Sequence, residues 1–343
     1  MLKKVLYSIV IALFLFAVIG FFLPSEVHVE RQIEIRRPVA TVFTVVNSYR
    51  TFQSWSPWAE RDPGASYELS GPASGIGAKM SWSGDPRLVG AGWQEITQSD
   101  PYSLVRMHLD FDQQGAADSY FQIGEGTNGT LVTWGFDTDL LEGQNWFGGL
   151  LARYFGLFFD RWIGTDYEMG LAKLKTLVES MPLADFSDLE VEVVEVEPVD
   201  ILYVKNLTEG SADLDTGLAA AYREITTFMA ENEIEMAAQP MAITRIRANR
   251  GFDVEAAIPV LAKEVEPSGR VMKGQSPAGR ALRVVHRGSY DSMAPDYDKL
   301  AAWMAAHGLA EGSVSWEHYI SNPAETPDEE LVTHIYFLLE HGQ

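Results

Sequence analysis

The chemistry of this chain gathers in one short stretch near its end, SWEHYISNP at 315–323. It reads as a strand running into a turn, and strand side chains alternate between faces. Trp316, His318 and Ile320 therefore share one face, and Glu317 and Tyr319 the other. Facing apart, Glu317 and His318 cannot share one proton relay. A carboxylate buried without a partner costs several kcal/mol or is driven toward its neutral form, so it persists where something pairs with it. A bound cation with aromatic walls would do so by charge attraction and cation–π contact. Tyr319, Tyr290, Tyr297 and Trp303 are the candidate walls. The plainer alternatives are a surface acid at 317, a polar-tipped surface ring at Tyr290 in the turn RGSYDSM, and a helix-core residue at Trp303.

Other motifs carry less. GEGTNG at 124–129 satisfies a dinucleotide-loop pattern, but the strand-like TLVTWGF follows it. A phosphate loop must open a helix whose N-terminus holds the phosphate, so this is a hairpin turn. GQSPA at 274–278 lacks the second glycine of a nucleophile elbow. The seven His have no HxxxH or HExxH spacing and there is no cysteine. Disulfides, thiolate catalysis and Cys-ligated metals are thereby excluded, and neither a metal nor a cofactor is expected. With 26 Lys plus Arg against 48 Asp plus Glu, the formal charge is −22. Such a surface repels phosphate backbones, and no segment reads as a helix-turn-helix, so nucleic acid is not an expected partner. Neutral or cationic small molecules are.

The elements that position these residues fall into three parts. Lys3 and Lys4 precede VLYSIVIALFLFAVIGFFL, residues 5–23, which carries no charge. As a helix it spans about 29 Å, one hydrocarbon core. The basic flank favours a cytoplasmic N-terminus, with the remainder outside the cytoplasm. Residues 1–26 are therefore read as a signal anchor. Residues 27–180 form a first soluble module: a strand (EVHVERQIEI), a helix with Val42, Val45 and Val46 at helical spacing, a Trp/Pro-rich loop, five strand-like runs, and a closing helix. Ile163, Tyr167, Leu171, Leu174 and Val178 make one apolar stripe on that helix. The apolar run FGGLLARYFGLFF at 147–159 is too short for a second span and contains Arg153, so it reads as core or cavity lining.

MPLADFSD, 181–188, reads as a linker, and residues 189–343 as a second module with an internal repeat. YREITTFMAENEI at 222–234 aligns without a gap to YDKLAAWMAAHGL at 297–309, an offset of 75 residues. Tyr222/Tyr297, Met229/Met304 and Ala230/Ala305 are identical, and Phe228 matches Trp303. Each copy is an amphipathic helix with one strand before it and two after, giving two β-α-β-β halves and a crevice between them.

The order of elements in the first module, with IEIRRPVATVFTVVNSYRTFQSWSPW and IGTDYEMGLAKLKTLVE, resembles the SRPBCC (START-like, polyketide cyclase/lipid-transport) superfamily. That resemblance implies an α+β helix-grip fold around an apolar cavity, with no fixed chemistry. The second module, through FDVEAAIPV, GRALRVVHRGSYDSM and WEHYISNPAETPDEELVTHIYFLL, resembles the GyrI-like effector-binding domain. In drug-sensing members a glutamate on the penultimate strand receives cationic drugs in an aromatic pocket, and by motif position that residue is Glu317. The resemblance implies a membrane-anchored binder of small apolar or cationic molecules. It leaves two alternatives. One is a hydrolase of reactive small molecules, with Glu317 activating water and Tyr290 or Tyr319 donating a proton. The other is a protein-interaction inhibitor.

Overall fold

The computed structural model describes residues 2–112, 115–205, 214–246, 251–261, 266–310 and 312–339. Asn206, Arg247, Ala248 and Glu340, at the ends of expected strands, lie outside them. Two compact units divide the chain, one made of Met1–Asp185 with Ala305–Gly308 and a second of Phe186–Met304 with Leu309–Gln343.

The first unit opens with α1 (Leu2–Phe22), a helix long and apolar enough to cross a bilayer. Then follow β1 (Glu26–Ile35), α2 (Val39–Val46), α3 (Phe52–Trp55), α4 (Pro57–Arg61), β2 (Ser66–Ser70), β3 (Lys79–Ser83), β4 (Ala91–Asp100), β5 (Leu104–Asp110), β6 (Ala116–Glu125), β7 (Thr130–Asp139), α5 (Trp146–Gly156) and α6 (Phe159–Glu179). The seven strands form one antiparallel sheet, β1-β7-β6-β5-β4-β3-β2. The expected Trp/Pro-rich loop holds two helical turns. The Ser56 hydroxyl accepts from the Trp58 and Ala59 amides and Pro57 takes the first helical position, a start signal the aromatic composition masked. The closing helix buries Tyr167, Leu171, Leu174 and Val178. Gly170 on that helix lets the Trp134 ring approach, because a Cβ there would fall 2.6 Å from it. In the segment 181–188, Met181 and Phe186 are buried while Leu183 is exposed.

The second unit comprises β8 (Val191–Val196), β9 (Asp200–Val204), α7 (Leu214–Glu231), β10 (Met241–Ile246), β11 (Phe252–Pro259), β12 (Met272–Gln275), β13 (Gly279–Arg287), α8 (Ala294–Ala306), β14 (Val314–Tyr319) and β15 (Val332–Leu338). Its antiparallel sheet runs β12-β9-β11-β10-β14-β15-β13-β8. The two halves, β9-α7-β10-β11 and β13-α8-β14-β15, meet where β10 pairs with β14. Each half also has a leading strand, and these are exchanged: β8 pairs with β13 and β12 with β9. One sheet face carries two apolar clusters. Ile225, Phe228 and Met229 of α7 pack over β9 and β11, and Leu300 and Met304 of α8 over β13 and β15.

The repeat extends into backbone detail. Both helices close the same way, with Ile234 N donating to Met229 O and Leu309 N to Met304 O, each 2.9 Å. The residue before each closing amide is left-handed, Glu233 at φ 52° and Gly308 at φ 64°. Applied to the strands, the same offset of 75 carries Ala242 to Glu317. These two are also directly opposed in the β10–β14 ladder. The pseudo-two-fold axis therefore passes between them.

Candidate functional site

Glu317 projects from the face of the sheet that carries α7 and α8, since Trp316 packs on the other face with Ile243 and stacks on Tyr336 (4.7 Å between centroids). Ala242, its counterpart across the axis, offers only a methyl group to the space. The half-buried carboxylate is gripped from two sides. Tyr297 of α8 donates its hydroxyl to Oε1 at 2.6 Å, and Tyr319, two residues along the strand, donates to Oε2 at 2.9 Å. Neither bond supplies a positive charge. Burial, and then the negative charge of Glu317, pushes the Tyr297 hydroxyl far up. Tyr319 is pushed up by burial, then by Tyr222 and Glu317. Both phenols stay protonated and act as donors throughout the physiological range.

The other tyrosines around Glu317 come from both halves. Tyr290, 37% exposed, meets the Tyr319 ring edge-on at 5.2 Å. Its hydroxyl is shifted up by burial, then by Asp328 and Glu317, so two carboxylates bear on it. Tyr222 of α7 donates to the Met241 carbonyl at 2.8 Å and is pushed up by burial and by Glu317. It was legible as the repeat partner of Tyr297, and that symmetry was the signal for placing it at the axis. Trp303 packs with the second-half cluster of Leu282, Leu300 and Ile335, as Phe228 does in the first. The structure thus brings Glu317, Tyr319, Tyr297 and Tyr290 together, and Trp303 packs, partly buried, against the same cluster as Tyr297.

The first unit encloses a cavity of about 630 Å³ between its sheet and α5–α6. Met80, Gln94, Leu109 and Phe136 line the sheet side, and Phe155, Phe159, Ile163 and Tyr167 the helix side. Two of its lining rings, Tyr167 and Trp58, pack on Trp134 behind them: Tyr167 stacks on it at 3.9 Å, and Trp58 meets it edge-on, as does Trp55. Ser119 fixes that stack, accepting from Trp134 Nε1 at 3.0 Å and meeting the Tyr167 hydroxyl at 3.1 Å. One polar corner interrupts the apolar wall, where Asp166 accepts from Trp58 Nε1 at 3.1 Å and pairs with Arg61. This volume falls within the usual range for small-molecule sites. Among the described residues no group of three or more His, Cys, Asp or Glu side chains could hold a metal ion.

Residues 26–179 match the polyketide cyclase/dehydrase and lipid-transport family, and residues 189–340 match the GyrI-like small-molecule-binding domain. No curated protein matches the chain. Among solved structures, the chain is similar to a protein from Chromobacterium violaceum (13% identity, TM-score 0.34, covering 45% of this chain and 98% of that one). It is also similar to the C-terminal domain of EcmrR (18%, 0.35, 44% and 98%) and to the Aha1 dimer of Colwellia psychrerythraea (16%, 0.32, 45% and 96%).

Proposed function

For a chain built of a polyketide cyclase/dehydrase and lipid-transport domain followed by a GyrI-like small-molecule-binding domain, we propose a membrane-tethered binder of small molecules. The first domain takes an apolar ligand in its cavity. The second takes a cationic aromatic one over Glu317, within Tyr290, Tyr297 and Tyr319. Its N-terminal helix spans the membrane with Lys3 and Lys4 on the cytoplasmic side, and both domains lie outside the cytoplasm.

The observation that carries this reading is the state of Glu317. Its two oxygens are held by hydroxyl donors that fix its position, and among the described residues no Lys or Arg pairs with it. A cation entering beside Tyr290 gains that charge and the ring faces together. The test is titration of the full-length protein in detergent with a cationic acridine dye. Glu317→Gln removes one charge-assisted contact, worth on the order of 2 kcal/mol, or about thirtyfold in affinity. Glu317→Asp also weakens binding, because the shorter arm leaves the charge a methylene away. Overlaying titrations of wild type and Glu317→Gln would remove the assignment. Hydrolysis at the same carboxylate predicts a different outcome, with turnover lost and affinity kept.

A further inference from the structure

The run at 147–159 is only partly cavity lining. Ala152, Phe155 and Phe159 line the cavity, but Trp146 is 82% exposed, and Phe147, Leu157, Phe158 and Trp162 are each at least half exposed. A soluble surface rarely groups so many large apolar side chains without a partner.

The contacts of α5 say what the partner is. Gly20 of α1 is where α5 crosses it, since a Cβ there would lie 2.4 Å from Leu150 Cδ1 and 2.7 Å from the Tyr154 ring. From that crossing the Tyr154 ring reaches along α1, stacks on Phe16 at 4.2 Å and donates its hydroxyl to the Phe16 carbonyl at 2.6 Å. Arg153 donates to the carbonyls of Phe21 and Leu23 (2.8 Å to the latter), capping the open end of α1 with a cation. Phe16 lies seven residues before Leu23, about 10 Å along the helix. Residues 5–23 are only long enough to fill one hydrocarbon core. The Tyr154 ring therefore enters the acyl region, and the crossing at Gly20 lies at its boundary. Aromatic side chains around a helix at that depth match an interfacial segment.

We propose that α5 and the first turn of α6 lie in the outer interface of the bilayer, so that the cavity beside Phe155 is loaded from the membrane with an uncharged lipophile dissolved there. Phe155 is the doorway, lining the cavity while remaining 58% exposed. This inference rests on α1 being a membrane span.

The chain has no cysteine, so single-cysteine variants of the full-length protein in phosphatidylcholine vesicles report one position each. An environment-sensitive fluorophore at Phe158→Cys or Trp162→Cys should emit blue-shifted and be quenched by nitroxide-bearing lipid. A label at Phe14→Cys, mid-span, reports the anchor itself. A label at Thr127→Cys, on the hairpin at the opposite end of β1 from α1, should behave as in water. Lipid signals at 14 with aqueous signals at 158 and 162 would overturn the proposal and leave the anchor standing. An aqueous signal at 14 would overturn the anchor, and this inference with it. For loading, a diazirine-bearing fatty alcohol dissolved in the vesicles should crosslink Phe136, Phe159 or Ile163. Crosslinks confined to α1 and the outer aromatics would refute loading from the bilayer.

Discussion

The two β-α-β-β halves of the second unit repeat the same construction and differ around Glu317. Tyr222 and Tyr297 occupy equivalent helix positions, yet one hydroxyl closes on a backbone carbonyl and the other on the Glu317 carboxylate. Across the axis Ala242 is a small core residue and Glu317 an acid. One step along the ladder, Ile243 is fully buried and its equivalent His318 is half-buried with an unpartnered Nε2 among the described residues. At the helix ends Glu233 occupies the left-handed position that Gly308 fills in the other copy. Duplication supplies the frame, and a few positions released from symmetry supply the candidate site.

The comparison breaks hardest at Ala242. Ala242→Glu places a second carboxylate opposite Glu317, and two acids sharing a half-buried space repel and desolvate each other. The unfolding free energy should fall by on the order of 3 kcal/mol at neutral pH, with partial recovery in acid as one of the pair takes a proton. Denaturant unfolding reads this directly. Wild-type stability at neutral pH would mean that the axis is open to water and Ala242 is not there to make room.

His318→Ile tests the next asymmetry by restoring the first half's residue. Burial lowers the His318 pKa, partly offset by a backbone bond to Gln239. The folded state therefore takes up its proton at lower pH than the unfolded chain does. Stability from the neutral ring is present above about pH 6.5 and is lost as pH falls below that value. The Ile variant should be about 1 kcal/mol more stable at neutral pH, because a buried unpaired nitrogen is gone. The gap to wild type should widen on acidification. A constant gap from pH 8 to pH 5 would show that His318 does not titrate with folding.

Glu233→Gly is the smallest change. A β-carbon at positive φ costs about 1 kcal/mol, and glycine has none. A rise in unfolding free energy of 0.5–1 kcal/mol, on the scale usual for such backbone effects, is expected without change in dye affinity. No gain would mean that the Glu233 side chain recovers elsewhere what its backbone loses.

Much of this architecture could be read from the residues because it follows periodicity. The charge-free run before residue 24, the strands bounded by turn residues, the α6 stripe and the repeat at offset 75 all express spacing. Glu317 was singled out by its motif position in the GyrI-like resemblance, and alternation put Tyr319 on the same face and His318 on the other. What was hidden depends on distant pairing. Ser66–Ser70 became β2 only through its ladder with β3. Met272–Gln275, four residues with a glycine inside, became β12 by pairing with β9. The run at 147–159 could be scored for apolarity, but which of its faces meets the cavity is set by α6 and the sheet. Trp303 could be offered as a wall or a core residue, and its packing, partly buried against the second-half cluster, depends on where the helix lies.

The exchange of β8 and β12 bears on how the second unit is made as a chain. β8 must wait for β13, more than 80 residues later, before its ladder can form. Contacts at that separation slow folding, because loop-closure entropy is lost before they form. A single half, cut free, would expose the edge of β9 and carry β8 with nothing to pair with. Two such fragments could satisfy each other by trading β8, rebuilding the eight-stranded sheet as a swapped homodimer. The single chain has the connectivity of such a dimer with its two subunits joined. Within one chain Glu317 can occupy one side of the axis alone, which identical subunits could never do.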